Sequence, residues 1–325
     1  MQKIKWGVLG TADIAKACTI PGMQQAQNCE MYAIAGRKLE KAQQFQQEFG
    51  FAKIYGSYEE LLQDSEVEAV YIPLPNELHY EWTIKALKAK KHVLCEKPLA
   101  PSVAQIEEMI KTAEENGVVL MEAFAYLHSP LIAAIKEELN QKAIGDILYM
   151  ESAFITSDYA PSNIRMRKET FGGCTYDLGC YPSSQILWML GEEPKRVQAV
   201  ADFSEQGIDV YTSALLTFES GARAAFSCGM ILATEEGKRL DRFQIHGTKG
   251  FIRSEAEFNQ EGELSYTISV DGKEETKTVT VPHNYRLEIE QLGRCITEGE
   301  TPHVSNAFSV RNGRTIERVL AAIGY

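Results

Sequence analysis

The sequence predicts an α/β fold in two parts: a doubly wound parallel-sheet domain at the N-terminus, then an α+β domain built on a mostly antiparallel sheet. Three observations predict it. Short, wholly apolar runs alternate with helical periods in the first part of the chain. A glycine turn closes the first of those runs. Past Glu122 the rhythm changes to strand-like segments joined by tight turns. Strands apolar on consecutive positions and separated by helices are buried on both faces, as parallel strands are.

Taken in order, Lys3–Leu9 reads as a strand closed by Gly10, and a helix starts over Ala12–Cys18. Met31–Ala35 is the second strand, and Leu39–Phe49 a helix stopped at Gly50, a residue that adopts the left-handed C-terminal turn without penalty. Ala69–Ile72 and His92–Cys95 are further strands, with a helix over Glu77–Lys88 between them. Ser102 caps a helix running to Asn116 and ended by Gly117, and Val118–Met121 is the last apolar run. Ile132–Gln141 reads as a helix. Strands are then predicted at Ile147–Ile155, Arg196–Ala201, Val210–Phe218, Arg223–Met230, Phe243–His246, Phe251–Ser254, Tyr266–Val270 and Thr276–Val281. Turn signals such as Glu219-Ser220-Gly221 and Asp271-Gly272 join several of them, which points to antiparallel pairing. Tyr285–Glu298 and Ala307–Ile323 read as closing helices. The expected division is 1–122 and 123–325, the closing helix being free to pack back on the first domain.

Composition agrees with two domains. At about 150 residues per domain, 325 residues make two. A hydrophobic share of 44% and a charged share of 24% exclude disorder over most of the chain. Thirty-three basic against 45 acidic residues give a net charge of −12, so nucleic acid and anionic membrane are not expected partners. No run approaches the ~18 apolar residues of a membrane span. The start, MQKIKWGVLG, has no apolar leader segment. Seven scattered cysteines without a C-x-x-C pair suggest reduced thiols in a cytoplasmic protein, with neither a disulfide framework nor a metal centre.

Two segments address a cofactor. Gly7-Val-Leu-Gly10-Thr11-Ala12-Asp-Ile14-Ala15 sits at the first strand–helix junction and follows the dinucleotide pattern G-x-G-x-x-G/A, with Ala12 in the second glycine place. Such a turn brings backbone and a helix N-terminus to a pyrophosphate. After the second strand comes Gly36-Arg37-Lys38, two cations where an NAD enzyme usually carries an acid. Arginine there accommodates a 2′-phosphate, so NADP is the expected cofactor and NAD the alternative.

Charged residues at strand ends address chemistry. Glu96-Lys97-Pro98 ends a buried strand, and Leu74-Pro75-Asn76 with His79 follows another. Ligand crevices lie at that edge of such sheets. Downstream, Gly172-Gly173-Cys174-Thr175-Tyr176-Asp177-Leu178-Gly179-Cys180-Tyr181 places Asp177 and Tyr181 four apart, on one face of a helical turn. Lys97, Asp177 and Tyr181 are the candidate catalytic set. Phe124, Tyr126, Phe154 and Arg165 are candidate substrate contacts.

With the Gly10 turn, Pro75-Asn76-x-x-His79, Glu96-Lys97-Pro98 and Gly172-Gly173-x-x-x-Asp177-x-Gly179-x-Tyr181 in this order, the chain resembles the glucose–fructose oxidoreductase/inositol dehydrogenase family of NAD(P)-dependent oxidoreductases. Tyr181, where inositol dehydrogenases carry His, and Gly36-Arg37 resemble its dihydrodiol dehydrogenase and D-xylose dehydrogenase branch. The resemblance implies an N-terminal Rossmann domain, a C-terminal domain with a large open-faced sheet, and a site in the cleft between them. It implies that Lys97 is catalytic, Glu96 contacts the cofactor ribose, Tyr181 transfers the proton and Asp177 positions it. The substrate class implied is a sugar, polyol or vicinal diol. Two departures stand out: Ala12 itself, and the segment Glu122–Pro130, which lacks the usual arginine. Some relatives of the family keep the fold as regulators and typically lose the Lys and Tyr/His pair that this chain retains. Alternating apolar positions on the later strands would leave one sheet face uncovered by helices, and a homodimer or higher homo-oligomer through that face is expected.

Overall fold

The computed structural model describes residues 2–232 and 239–325. The chain divides into two compact units that are discontinuous in sequence: Met1–His128 with Pro282–Val310, and Ser129–Val281 with Arg311–Tyr325.

The first unit contains β1 (Ile4–Leu9), α1 (Ile20–Gln25), β2 (Cys29–Ala35), α2 (Leu39–Phe49), β3 (Lys53–Tyr55), α3 (Tyr58–Gln63), β4 (Ala69–Ile72), α4 (Asn76–Lys88), β5 (His92–Glu96), α5 (Val103–Asn116) and β6 (Leu120–Ala123). All its strand pairs are parallel, in the order β3-β2-β1-β4-β5-β6. That is the doubly wound dinucleotide-binding order, and its crevice opens where the winding reverses, between β1 and β4. Expected helix ends are met: Gly50 and Gly117 stop α2 and α5 in left-handed conformation, and Ser102 accepts from the Gln105 amide. β3 and α3 were not expected. β3 is three residues at the sheet edge, too short to show a period. α3 is a two-turn helix capped by Ser57. The first helix also runs further than Cys18: residues 13–25 are helical, with a π-helical turn at Ala15–Thr19, and Pro21 follows directly after that turn, at the second residue of α1.

The second unit contains α6 (Pro130–Asn140), β7 (Ile147–Ser157), α7 (Cys180–Leu190), β8 (Arg196–Phe203), β9 (Asp209–Thr217), β10 (Arg223–Leu232), β11 (Arg239–Gly247), β12 (Gly250–Ser254), β13 (Gly262–Val270) and β14 (Lys273–Val281). Its strands form one sheet in the order β14-β13-β12-β11-β7-β10-β9-β8. β7 and β10 run parallel, and the other pairs are antiparallel. The sheet is therefore mostly, not wholly, antiparallel. α7 packs on one face, where Ser152 of β7 donates to Gln185 at 2.6 Å. On the other face Leu215 is 59% exposed and Val200 69%.

The last two helices are α8 (Asn284–Glu298) and α9 (Asn306–Ile323). α8 belongs to the first unit although it follows the strands of the second, and the division falls within α9. Among the described residues no helix is long and apolar enough to cross a membrane. All seven cysteines are free thiols.

Candidate active site

Each unit carries a group of candidate residues. In the first, β1 ends at the glycine turn. Gly10 has φ +126°, and its amide donates to Ala35 O at 2.9 Å. A Cβ at Gly10 would lie 3.1 Å from Leu74 Cδ2 and 3.7 Å from Tyr58 Oη, so only glycine keeps this turn open. Thr11 Cγ2 stands beside Gly36, 3.4 Å from where a Cβ would be built. The turns after β1 and β2 thus meet. Gly36 is buried, whereas Arg37 and Lys38 are exposed. Arg37 interacts with the Tyr58 hydroxyl, which lies near Gly10. Bare backbone, a helix start and two exposed cations fit a phosphorylated dinucleotide. Thr11 and Ala12 are half-buried, and Ile14 is 37% exposed.

The carboxyl ends of β4 and β5 carry the second cluster. His79 is fully buried in α4, its Nδ1 2.8 Å from Pro98 O and its Nε2 2.6 Å from Leu74 O. It ties the Leu74-Pro75-Asn76 turn to the segment after Lys97, and burial lowers its pKa. Glu96 accepts from Tyr71 Oη at 2.5 Å, and Tyr71 Oη in turn accepts from Thr19 Oγ1 at 2.8 Å. Lys97 is half-buried and follows β5 directly. Phe124 and Tyr126 are buried at 0% and 2% exposure, and they meet edge to face with centroids 6.1 Å apart. This burial makes them core residues of the first unit.

In the second unit, Thr175–Gly179 form a π-helical turn leading into α7. Asp209 braces it, accepting from Thr175 N at 2.8 Å. Asp177 is 8% exposed and takes a charge-assisted bond from Arg165 Nε at 2.5 Å. Asp177 raises the pKa of Arg165, and Tyr181 does so more weakly. Arg165 also lies over the Tyr159 ring at 4.9 Å. Tyr181 is half-buried and forms a three-ring cluster with Phe154 at 5.3 Å and Phe258 at 5.1 Å, which also touch each other. The unit thus brings Tyr181, Asp177, Arg165 and Phe154 together.

Sequence reading did not single out Phe258, Arg239, Asp241 or Tyr58. Phe258 lies in the turn between β12 and β13, where no period marks it. Its amide donates to Asp241 Oδ2 at 2.7 Å, and Arg239 pairs with the same oxygen at 3.1 Å. Burial pushes the Asp241 carboxyl up to about 6, against the pull of Arg239. Arg239 also lies over Phe154 at 5.0 Å. A signal existed only in Arg239-Leu-Asp241, two opposite charges on one strand face.

Comparison with known proteins decides the family. The oxidoreductase family with an NAD-binding Rossmann fold matches residues 4–124, and the GFO/IDH/MocA C-terminal domain matches residues 132–253. The D-xylose 1-dehydrogenase (NADP(+)) 2 of Haloferax volcanii is 34% identical, over 97% of this chain and 95% of that protein. The chain belongs to the GFO/IDH/MocA oxidoreductases. The trans-1,2-dihydrobenzene-1,2-diol dehydrogenase of Xenopus tropicalis is 32% identical over 98% of both chains. Among solved structures, a 3-ketoreductase from Actinomadura kijaniata in complex with NADP and TDP-benzene has a TM-score of 0.92 at 29% identity, covering 99% of this chain and 98% of that one. This member is therefore an oxidoreductase with the expected two-part fold.

Proposed function

We propose that this oxidoreductase uses NADP to move a hydride to and from a carbinol or carbonyl carbon of a sugar, polyol or vicinal diol. The observation that carries the reading is Lys97 at the carboxyl end of a buried parallel strand, beside the crevice of the doubly wound sheet. A lysine there is costly unless it has a task. The relatives above bear names of sugar and diol dehydrogenases, which supports the substrate class.

Bound NADP would supply the hydride carrier. Gly10, Thr11, Ala12 and Ile14 would hold its pyrophosphate, Gly36, Arg37 and Lys38 its 2′-phosphate, and Leu74, Pro75, Asn76 and Glu96 the nicotinamide half. His79 acts behind them by fixing the Leu74 turn. Tyr181 takes the hydroxyl proton of the substrate in oxidation and returns it in reduction. A phenol of ordinary pKa, about 10, is a poor base near neutrality. Positive charge nearby favours phenolate. Lys97 is assigned that role, and Arg165, held by Asp177, adds to it within the second unit. Phe154 and Phe258, themselves in contact at 5.3 Å, form an apolar wall along one side of the Tyr181 ring. The exposed face of the second sheet pairs with a second copy of the chain, and the protein acts in the cytoplasm.

The test follows absorbance of NADPH with a panel of aldoses, ketoses and dicarbonyls. Lys97→Met is expected to bind NADPH as the wild type does and to lose about 100-fold or more in turnover. Normal turnover in that variant sinks the assignment, and so does absence of turnover across the panel for the wild type.

A further inference from the structure

β6 carries a carboxylate that the reading above does not use. Glu122 is 3% exposed and lies opposite Cys95 of β5, one pair before the Glu96–Ala123 pair. Its Oε1 accepts from the Leu99 amide at 2.9 Å. Its Oε2 has no hydrogen-bond partner among the described residues. The Leu99 amide by itself needs only an amide oxygen, which glutamine offers at far lower burial cost. The negative charge of an acid at this place points to a charge-dependent task beyond that bond. Lys97 is the cation that acts on Glu122. Pro98 and Leu99, the two residues after Lys97, are each tied by a buried side chain: Pro98 O by His79 and Leu99 N by Glu122.

We infer that Glu122 is a positioning residue for Lys97: it anchors the segment beyond Lys97 from the neighbouring strand and supplies a counter-charge from within the same unit. The inference rests on the proposed catalytic role of Lys97. The groups that face Glu122 are Glu96, Lys97 and Cys95 at the end of β5, Leu99 N beyond it, and Ser309 of α9. Glu288 of α8 acts on Glu96 in turn. It is fully buried with neither oxygen hydrogen-bonded among the described residues, and burial pushes its carboxyl up. Burial pushes Glu122 up to about 7, while Ser309, Leu99 N and Lys97 pull it down. Its charge therefore changes within the working pH range.

Three variants of the full-length protein test this, assayed with the panel substrate of highest turnover. Glu122→Gln keeps the acceptor and removes the charge. It is expected to bind NADPH within about two-fold of wild type, to lose about 10-fold in kcat above neutrality, and to show no rise of kcat through pH 7. Glu122→Asp is expected to keep that rise. Carbon-13 titration of the Glu122 carboxyl in the wild type and in Lys97→Met needs no change at Glu122, so it holds even where Glu122→Gln fails to fold. Loss of the ammonium is expected to move the midpoint upward. Wild-type kcat and pH rise in Glu122→Gln, or an unmoved midpoint in Lys97→Met, overturns the inference. Normal turnover of Lys97→Met overturns instead the role assigned to Lys97.

Discussion

At the scale of single residues, the informative positions are charges in places where charge is costly. Lys97 at the end of an apolar strand and Asp177 within a buried turn both declare themselves that way. Arg37 is different: it is exposed, and its meaning lies in what is absent beside it, an acid at the end of β2. A guanidinium there pairs with the dianionic 2′-phosphate and gains nothing from a ribose hydroxyl. Arg37→Asp is therefore expected to raise KM for NADPH by about 10- to 100-fold and to leave or lower KM for NADH, since each lost charge-assisted bond is worth ~1.5–3 kcal/mol. Steady-state kinetics with both cofactors checks it, and unchanged preference refutes the assignment. Aromatic side chains were the least legible. Phe124, Tyr126 and Phe154 are all buried, and the contact of Phe154 with Tyr181 ties that one to the candidate catalytic set, which nothing in their spacing foretells. An aromatic ring packs equally well in a core or a cleft wall, so its type carries no location.

At the scale of elements, apolar runs and capping residues marked most helices and strands, because their cause is local. The turns that bear function are set differently. Gly173 has φ +108°, and a Cβ built on it would collide with the Asp209 carboxylate that braces Thr175. The Gly172-Gly173 motif thus buys close approach of β9 to the π-helical turn holding Asp177. Gly173→Ala is expected to destabilise the second unit by about 2 kcal/mol, from left-handed backbone strain and the lost brace. Urea unfolding followed by tryptophan fluorescence measures it, and a wild-type midpoint would contradict the role. β3 and α3 escaped sequence reading because three and six residues contain less than a usable period.

At the scale of the whole molecule, the assignment of segments to units depends on contacts distant in sequence. α8 follows the last strand of the second unit yet packs in the first, where Asn28 Nδ2 donates to Glu290 O at 2.8 Å. Composition gives no hint of this, since an amphipathic helix has one apolar face whatever it covers. The open sheet face belongs to the same scale. Leu215 is 59% exposed on β9, with the Ser213–Ser227 hydroxyl pair beside it on the same face. An exposed apolar residue on a sheet face fits the proposed pairing with a second copy. With that proposed pairing, Leu215→Asp is expected to lower the mass seen in light scattering to that of a monomer without lowering the folding midpoint, because the side chain is exposed in the single chain. A monomeric wild type would refute the proposed pairing. By itself, the order of residues along the chain determined the alternation of strands and helices, the glycine turn, and the motifs that name the family, since each depends on neighbours within a few positions. Tertiary structure alone decided that His79 ties two loops, that Glu122 stands beside the Lys97 segment, and that Arg165 serves Asp177. Burial, and the partner met there, is a property of the packed chain, and it sets what each charged group can do.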